Sequence, residues 1–285
     1  MKKIGIVTDS HSSISPAEAA LIGVHVLPMP FDIDGQEYFE GVNITRQQFF
    51  GYQRAGARIG TSQPAPAAVM ELWDELLEQY ESLLYMPISS GLSHSCQTAM
   101  ALAEEEPYAG RIFVVDNGRV GSPLHQSILD ALELIDKGLS AAECKAALEA
   151  ARNDLVIYIA VETLEHLKRG GRISSTAAAV GTLLNIKPIL WGSEEGTIVM
   201  KEKVRGRKRS VERLLDAYDA KCADHGAVAA ITHADSPEDA ELLCRLLREH
   251  GQTGEMIIEC FEPAMGAHVG PGALALFFFG HDRAG

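Results

Sequence analysis

Leu83-Leu84-Tyr85-Met86-Pro87-Ile88-Ser89-Ser90-Gly91-Leu92-Ser93-His94-Ser95-Cys96-Gln97 reads as a strand, a tight turn and the start of a helix. The apolar run ends at Pro87-Ile88, hydroxyls and a glycine follow, and Thr98-Ala99-Met100-Ala101-Leu102-Ala103 continues in a helix-compatible pattern. The first backbone N–H groups of a helix lack intrahelical acceptors, and the helix dipole favours negative charge there. Four serines and a threonine crowd this spot, a composition suited to holding a carboxylate or a phosphate.

Outward from that stretch, short apolar runs alternate with helical patterns. Lys3 to Val7 reads as a buried strand that ends at Thr8-Asp9-Ser10, and Ser15-Pro16 opens a helix with serine as N-cap and proline at the first turn. Val24 to Met29 is a second strand, and Phe31 to Tyr38 a hairpin around Asp34-Gly35. Thr45 and Gln48 have capping-box spacing at the start of another helix. Ile59-Gly60-Thr61-Ser62-Gln63-Pro64-Ala65-Pro66 forms a second hydroxyl-rich turn before a helix from Ala67 to Tyr80.

After the opening stretch come a strand at Arg111–Val115 and helices at Leu124–Asp136 and Ala141–Arg152. Strands are expected at Val156–Val161, Asn185–Leu190, Val228–Thr232, Gly254–Cys260 and Ala273–Phe279, and Thr197–Met200 with Lys203-Val204 flank a hairpin or a strand. Helices are expected at Leu164–Arg169, Ala177–Leu184, Arg209–His225 and Pro237–His250. Such alternation implies an open α/β sheet, in which ligands sit outside the carboxyl ends of strands. A chain of 285 residues accommodates two domains, and the boundary falls just before Val156, giving domains 1–154 and 155–285.

The formal net charge of −14 argues against broad binding to nucleic acid or anionic membranes. Five scattered cysteines with no C-x-x-C pair fit a reducing cytosol and supply neither a disulfide framework nor a zinc site. Lys2-Lys3 precedes only four apolar residues before polar Thr8, too few for a signal sequence, so a cytoplasmic protein is expected. The longest apolar run, Ala273 to Phe279, is far short of the roughly 20 residues of a membrane helix.

Neither G-x-x-x-x-G-K-[ST] nor a strand-anchored G-x-G-x-x-G occurs, and the histidines form no metal-ligand cluster, so neither a nucleotide cofactor nor a metal is expected. Gly91-Leu92-Ser93-His94-Ser95 is one residue from the G-x-S-x-G nucleophile elbow, with Ser95 in place of the second glycine. A serine hydrolase or acyltransferase using Ser93, with His268 or His94 as base, is therefore an alternative; the plainer reading is that these serines cap a helix.

Gly266-Ala267-His268-Val269-Gly270-Pro271-Gly272 reads as a glycine-rich loop, either approaching a ligand closely or serving only as a turn. Arg172, after Gly170-Gly171, is placed to orient an acyl or phosphoryl group, or is simply a solvated residue after a helix end. Lys201 to Arg209 is a basic run within an acidic chain, a solvated face or a docking surface for an acidic partner.

Six segments in this order resemble the DegV family: the strand ending in Thr8-Asp9-Ser10; Thr61-Ser62-Gln63-Pro64-Ala65-Pro66; Ile88-Ser89-Ser90-Gly91-Leu92-Ser93 with Gln97 and Ala99; Leu167-Lys168-Arg169-Gly170-Gly171-Arg172-Ile173-Ser174; Ile186-Lys187-Pro188-Ile189-Leu190; and Gly266 to Ala273. His94-Ser95-Cys96 and Asn117-Gly118-Arg119 depart from the family pattern, and either change is expected to alter which acyl chain fits. The resemblance implies two mixed α/β domains with a long-chain fatty acid between them. Its carboxylate would be held by Thr61, Ser62, Ser93 and His268, with its tail in an apolar tunnel. It further implies a non-enzymatic subunit presenting the carboxyl group to a separate ATP-dependent fatty acid kinase that makes an acyl phosphate. Arg172, Arg205 and His268 would then assist phosphoryl transfer or kinase contact.

Overall fold

A computed structural model describes residues 2–173, 185–222 and 225–279. The chain forms two compact units, Met1–Thr45 with Thr61–Arg152 and Arg46–Gly60 with Asn153–Gly285. The alanine-rich helix expected at Ala177–Leu184, with Ser174-Ser175-Thr176 before it, lies outside the described residues.

The first unit opens with β1 (Lys2–Asp9), a 3₁₀ turn at Ser10–Ser12 and α1 (Pro16–Ile22). Ser15 Oγ accepts the Glu18 N–H at 3.2 Å, the capping that Ser15-Pro16 predicts. Then come β2 (Val24–Leu27), β3 (Pro30–Ile33) and β4 (Gln36–Phe39). The last two pair antiparallel across Asp34-Gly35, whose φ values of 51° and 88° suit a tight hairpin. The chain next runs through α2 (Arg46–Arg54) in the second unit and returns along β5 (Ile59–Thr61), where the division falls. It continues with α3 (Pro66–Leu77), β6 (Tyr80–Met86), α4 (Ser95–Ala103), β7 (Ile112–Val114), α5 (Ser122–Asp136) and α6 (Ala141–Ala150).

Strands β2-β1-β6-β7 form a sheet that is parallel throughout. Side chains alternate across it with the two-residue period of a strand. Val7, Leu83 and Tyr85 join Trp73 and Tyr108 in one apolar cluster, whereas Ile6, Leu84 and Met86 join Leu124 and Ile128 in another. A parallel sheet covered on both faces explains why its strands read as continuous apolar runs. The helix expected at Ala67–Tyr80 stops at Leu77, because Tyr80 is already the first residue of β6.

The second unit contains β8 (Leu155–Ala160), α7 (Glu165–Gly170), β9 (Ile186–Gly192), β10 (Ile198–Arg205), α8 (Arg207–Lys221), β11 (Ala229–His233), α9 (Pro237–Glu249), β12 (Met256–Cys260), α10 (Pro263–Val269) and β13 (Leu274–Phe279). Its six-stranded sheet has the order β10-β9-β8-β13-β11-β12, with β11 and β12 parallel and the other pairs antiparallel. Helices α8 and α9 supply Leu214, Tyr218, Leu243 and Leu247 to the cluster that buries Ala229, Ile231, Leu276 and Phe278.

Two expectations need correction. A continuous domain over 1–154 is too simple, because Arg46–Gly60 belongs with the later half of the chain. Phe49 and Phe50 are buried there, the Gln53 amide donates to the Gly266 carbonyl at 2.9 Å, and Arg46 Nη1 donates to the Cys260 carbonyl at 2.8 Å. The segment from Gly266 is also not a loop from its start. Pro263 occupies the first turn of α10, and the helix carries Gly266, Ala267 and His268 before ending at Gly270. Phe50→Ala is expected to cost roughly 3–5 kcal/mol of stability, as large-to-small changes in packed cores do; urea unfolding of the full chain measures it.

Candidate functional site

In the first unit, the carboxyl ends of β1 and β6 are pinned together. Thr8 Oγ1 donates to the Met86 carbonyl at 2.7 Å, and Asp9 Oδ2 accepts the Ile88 N–H at 2.9 Å. Asp9 Oδ1 accepts the His11 N–H at 2.9 Å and lies 3.1 Å from His11 Nδ1. Thr8 and Asp9 have no exposed surface, and Ser10 Oγ accepts the Met29 N–H at 3.1 Å. The Thr8-Asp9-Ser10 turn therefore fixes where the chain leaves the sheet.

The Ser89–Ser93 loop follows from that exit. The N–H groups of Leu92 and Ser93 both donate to the Ser89 carbonyl, at 3.0 and 3.1 Å, making one tight turn. Ser89 Oγ accepts the Gly91 N–H at 3.2 Å, and the Gln97 side-chain amide donates to the Ser90 carbonyl at 3.1 Å. Ser93 is half-buried beside the first residue of α4, where its Oγ accepts the Ser95 N–H at 3.2 Å and the Ser95 hydroxyl at 3.0 Å. Ser93 thus accepts the first N–H of α4, although the N-cap residue itself, His94, makes no side-chain cap bond. A hydroxyl has two acceptor sites and one donor. With both acceptor sites of Ser93 in use, what remains is its proton, which suits an anion. Among the described residues, the hydrogen bonds to Ser93 Oγ come from Ser95 and none comes from a histidine.

Thr61, at the end of β5, is half-buried and Ser62 is exposed, with the Ser62 N–H donating to the Pro30 carbonyl at 3.4 Å. The next residue ties this segment to α4, since Thr98 Oγ1 donates to Gln63 Oε1 at 3.3 Å. Helix α4 thus contacts both segments, Gln63 through Thr98 and the Ser90 carbonyl through Gln97.

Sequence reasoning passed over Asp116, the second residue beyond β7. It receives the Ser90 N–H at 3.2 Å and the Ser90 hydroxyl at 2.5 Å, and it pairs with Arg152 at 3.1 Å. Burial pushes its carboxyl up, but the hydrogen bonds from Ser90 and Arg152 outweigh burial and hold it below its ordinary value of 3.8. Its position at the carboxyl end of a strand in the same sheet was the available signal. Cys96, buried beside Ser95, is pushed up to about 12 by burial and then by Asp116, so it stays a thiol.

In the second unit, Arg172 and His268 both face Gly170, the last residue of α7. Arg172 Nη1 donates to the Gly170 carbonyl at 2.5 Å, and a Cβ placed on Gly170 would lie 2.0 Å from His268 Nδ1. Gly270 likewise has no room for a side chain, because His166 Cδ2 would lie 2.3 Å from its Cβ. The close approach that the glycines permit is made here by the protein's own imidazoles. His166 is held below its ordinary value of 6.5 by burial and by neighbouring Arg169. In the same unit Glu162 pairs with Lys187 and with Arg207, and Arg207 also grips Asp239 at 2.6 Å.

Arg205, the last residue of β10, is exposed, and no described hydrogen bond joins it to the Arg172–His268 group. The basic run is partly committed within the fold, since Arg207 holds Asp239 and Arg209 holds Glu212 at 3.0 Å. Among the described residues no group of His, Cys, Asp and Glu is arranged to hold a metal ion, and no helix is long and apolar enough to cross a membrane.

A family described as "Uncharacterised protein, DegV family" matches residues 3–281. A DegV domain-containing protein of Clostridium perfringens is 33% identical over 290 aligned residues, covering 99% of each chain. Among solved structures, a fatty acid binding DegV family protein from Thermus thermophilus has a TM-score of 0.88 at 32% identity, covering 98% of this chain and all of the other. A fatty acid binding DegV family protein from Streptococcus agalactiae has a TM-score of 0.89 at 30% identity, over 99% of this chain and 100% of that one. DegV of Bacillus subtilis, described as a fatty acid binding protein, gives 0.84 at 29% identity, over 98% of this chain and 100% of that one. The mixed α/β architecture expected from the sequence is that of these proteins.

The depressed carboxyl of Asp116 gives a signed pH dependence. The folded state holds this proton less tightly than the unfolded chain, so the group stabilises the fold at neutral pH and loses that contribution as pH falls through and below 3.8. Asp116→Asn is therefore expected to lower the urea midpoint more at pH 7 than at pH 3, measured on wild type and variant at both values.

Proposed function

This chain belongs to the DegV family, and on that premise we propose that it binds a long-chain fatty acid. In this reading Ser93 donates to the fatty acid carboxylate, with Thr61 and Ser62 as further hydroxyl donors and His268 as a fourth contact, and an apolar tunnel takes the tail. The observation that carries the reading is the state of Ser93, whose two acceptor sites are filled by Ser95 while its proton is left to donate. Relatives described as fatty acid binding support it.

The physical division of labour is lopsided. Burying a tail of about 16 carbons at about 0.8 kcal/mol per methylene offers on the order of 12 kcal/mol before the costs of association. A hydrogen bond from a neutral hydroxyl to a charged group adds roughly 1.5–3 kcal/mol. The tail supplies affinity, and the hydroxyls supply position.

We propose further that the protein acts in the cytoplasm as a presenting subunit rather than as an enzyme. It would hold the carboxyl group for a separate ATP-dependent fatty acid kinase, which forms the acyl phosphate. Arg172, fixed against the Gly170 carbonyl, and His268 beside it would steady the developing phosphoryl charge. Exposed Arg205 would contact the kinase.

Calorimetric titration of delipidated protein with hexadecanoate tests the binding step. Saturable one-to-one binding is expected, and Ser93→Ala or Thr61→Val should each weaken it roughly tenfold. An active-site fluorophosphonate that labels wild type but not Ser93→Ala would instead favour the hydrolase.

A further inference from the structure

The hydroxyl loop is held from behind by a chain of contacts that the proposed binding role does not itself require. Asp116 grips Ser90 through both oxygens, at 3.2 Å to the backbone N–H and 2.5 Å to the hydroxyl. Arg152 Nη1 donates to Asp116 Oδ2 at 3.1 Å and to the Asp116 carbonyl at 3.0 Å, bracing side chain and backbone together. The Asp116 N–H donates to Glu149 Oε1 at 3.0 Å, and Glu149 is in turn paired with Lys145.

Arg152 reaches this place by passing over Gly118, where a Cβ would lie 3.0 Å from its Nε and where φ is 69°. Beyond Gly118, the Arg119 carbonyl accepts the Ser89 N–H at 3.0 Å. The Arg119 side chain is almost fully buried, donating to Ser127 Oγ at 2.7 Å and to the Ala151 carbonyl at 2.6 Å. The described contacts of Asn117-Gly118-Arg119, the segment expected to alter which acyl chain fits, include the hydroxyl loop at Ser89.

We propose that Asp116, braced by Arg152, is a positioning residue that sets the protein's preference for an ionised carboxylate over neutral head groups. The proposal rests on the fatty acid reading. The Ser93 N–H hangs from the Ser89 carbonyl, and Ser89 and Ser90 are each fixed by the Asp116–Arg119 segment. The direction of the Ser93 hydroxyl is therefore set by contacts two to four residues away. Arg152 has a second part. A bare carboxylate behind the loop would repel an anionic head within a screening length of about 8–10 Å, and the guanidinium neutralises it. Loosening either residue removes head-group contacts and leaves tail burial as it was.

The test compares hexadecanoate with hexadecanol, which share a tail and differ in the head. The double substitution Asp116→Asn/Arg152→Gln, which removes the brace without changing the net charge behind the loop, should lower the acid-over-alcohol affinity ratio roughly tenfold, the equivalent of one hydrogen bond to a charged group. Arg152→Gln alone should lower it at least as far, because it leaves the bare Asp116 carboxylate behind the loop. Ser90→Ala, which deletes one hydroxyl, should move the ratio in the same direction by less, and it keeps the test open if the charged variants fold poorly. An unchanged ratio in the folded variants, or equal losses for acid and alcohol, overturns the positioning role while leaving fatty acid binding intact. A wild-type protein with no affinity for hexadecanoate overturns the underlying reading, and the positioning role with it.

Discussion

A carboxylate with no exposed surface persists only where donors replace the water it has given up. Asp9 meets that condition through the amides of His11 and Ile88 and the adjacent His11 ring. These contacts join the last residue of β1 to the first turn beyond β6, two strands already paired from Lys2 to Thr8. That tie sets where the chain leaves the sheet. It fixes the exit of the Ser89–Ser93 loop, which fixes Ser93 against Ser95 at the start of α4. Removing the Asp9 carboxylate would leave a buried N–H at Ile88 without an acceptor and free the loop to choose another path.

Rigid hydroxyls and an apolar tail do different work. Neutral donors are weak, so a site built from them holds a carboxylate usefully only if they are already aimed when the ligand arrives. On the proposed reading this accounts for the many contacts that hold so short a loop, made by Asp9, Asp116, Arg119 and Gln97. The second unit follows the same economy with different residues. Gly170 lets His268 and Arg172 both approach one backbone position, and elsewhere in the unit Glu162 gathers Lys187 and Arg207.

The strands and most helices were legible because their signals are local. Apolar runs such as Leu83 to Met86 have no alternative to burial, and Ser15-Pro16 and Asp34-Gly35 carry their own geometry. What was hidden depends on distant partners. Nothing near Phe49-Phe50 says which core they enter, and the answer lies at Gly266, more than two hundred residues away by sequence. Helix α10 was masked by its own glycine, a poor helix former, although Pro263 marks its first turn. Of the candidate site, the hydroxyl-rich turns holding Thr61 and Ser93 stood out in the sequence, whereas the role proposed for them comes from the family resemblance. Asp116 was passed over because its place after a strand, the one signal it carried, does not say which donors meet it, and Ser90 and Arg152 come from elsewhere in the chain. Asn117-Gly118-Arg119 was noticed as a departure, but its contacts run to the loop.

The most direct test of the account is organic extraction of protein purified from cells, followed by mass spectrometry of the extract against a protein standard. The account predicts a long-chain fatty acid in close to one-to-one ratio with wild-type protein. A reproducibly empty protein that also takes up no fatty acid when offered it would contradict the account.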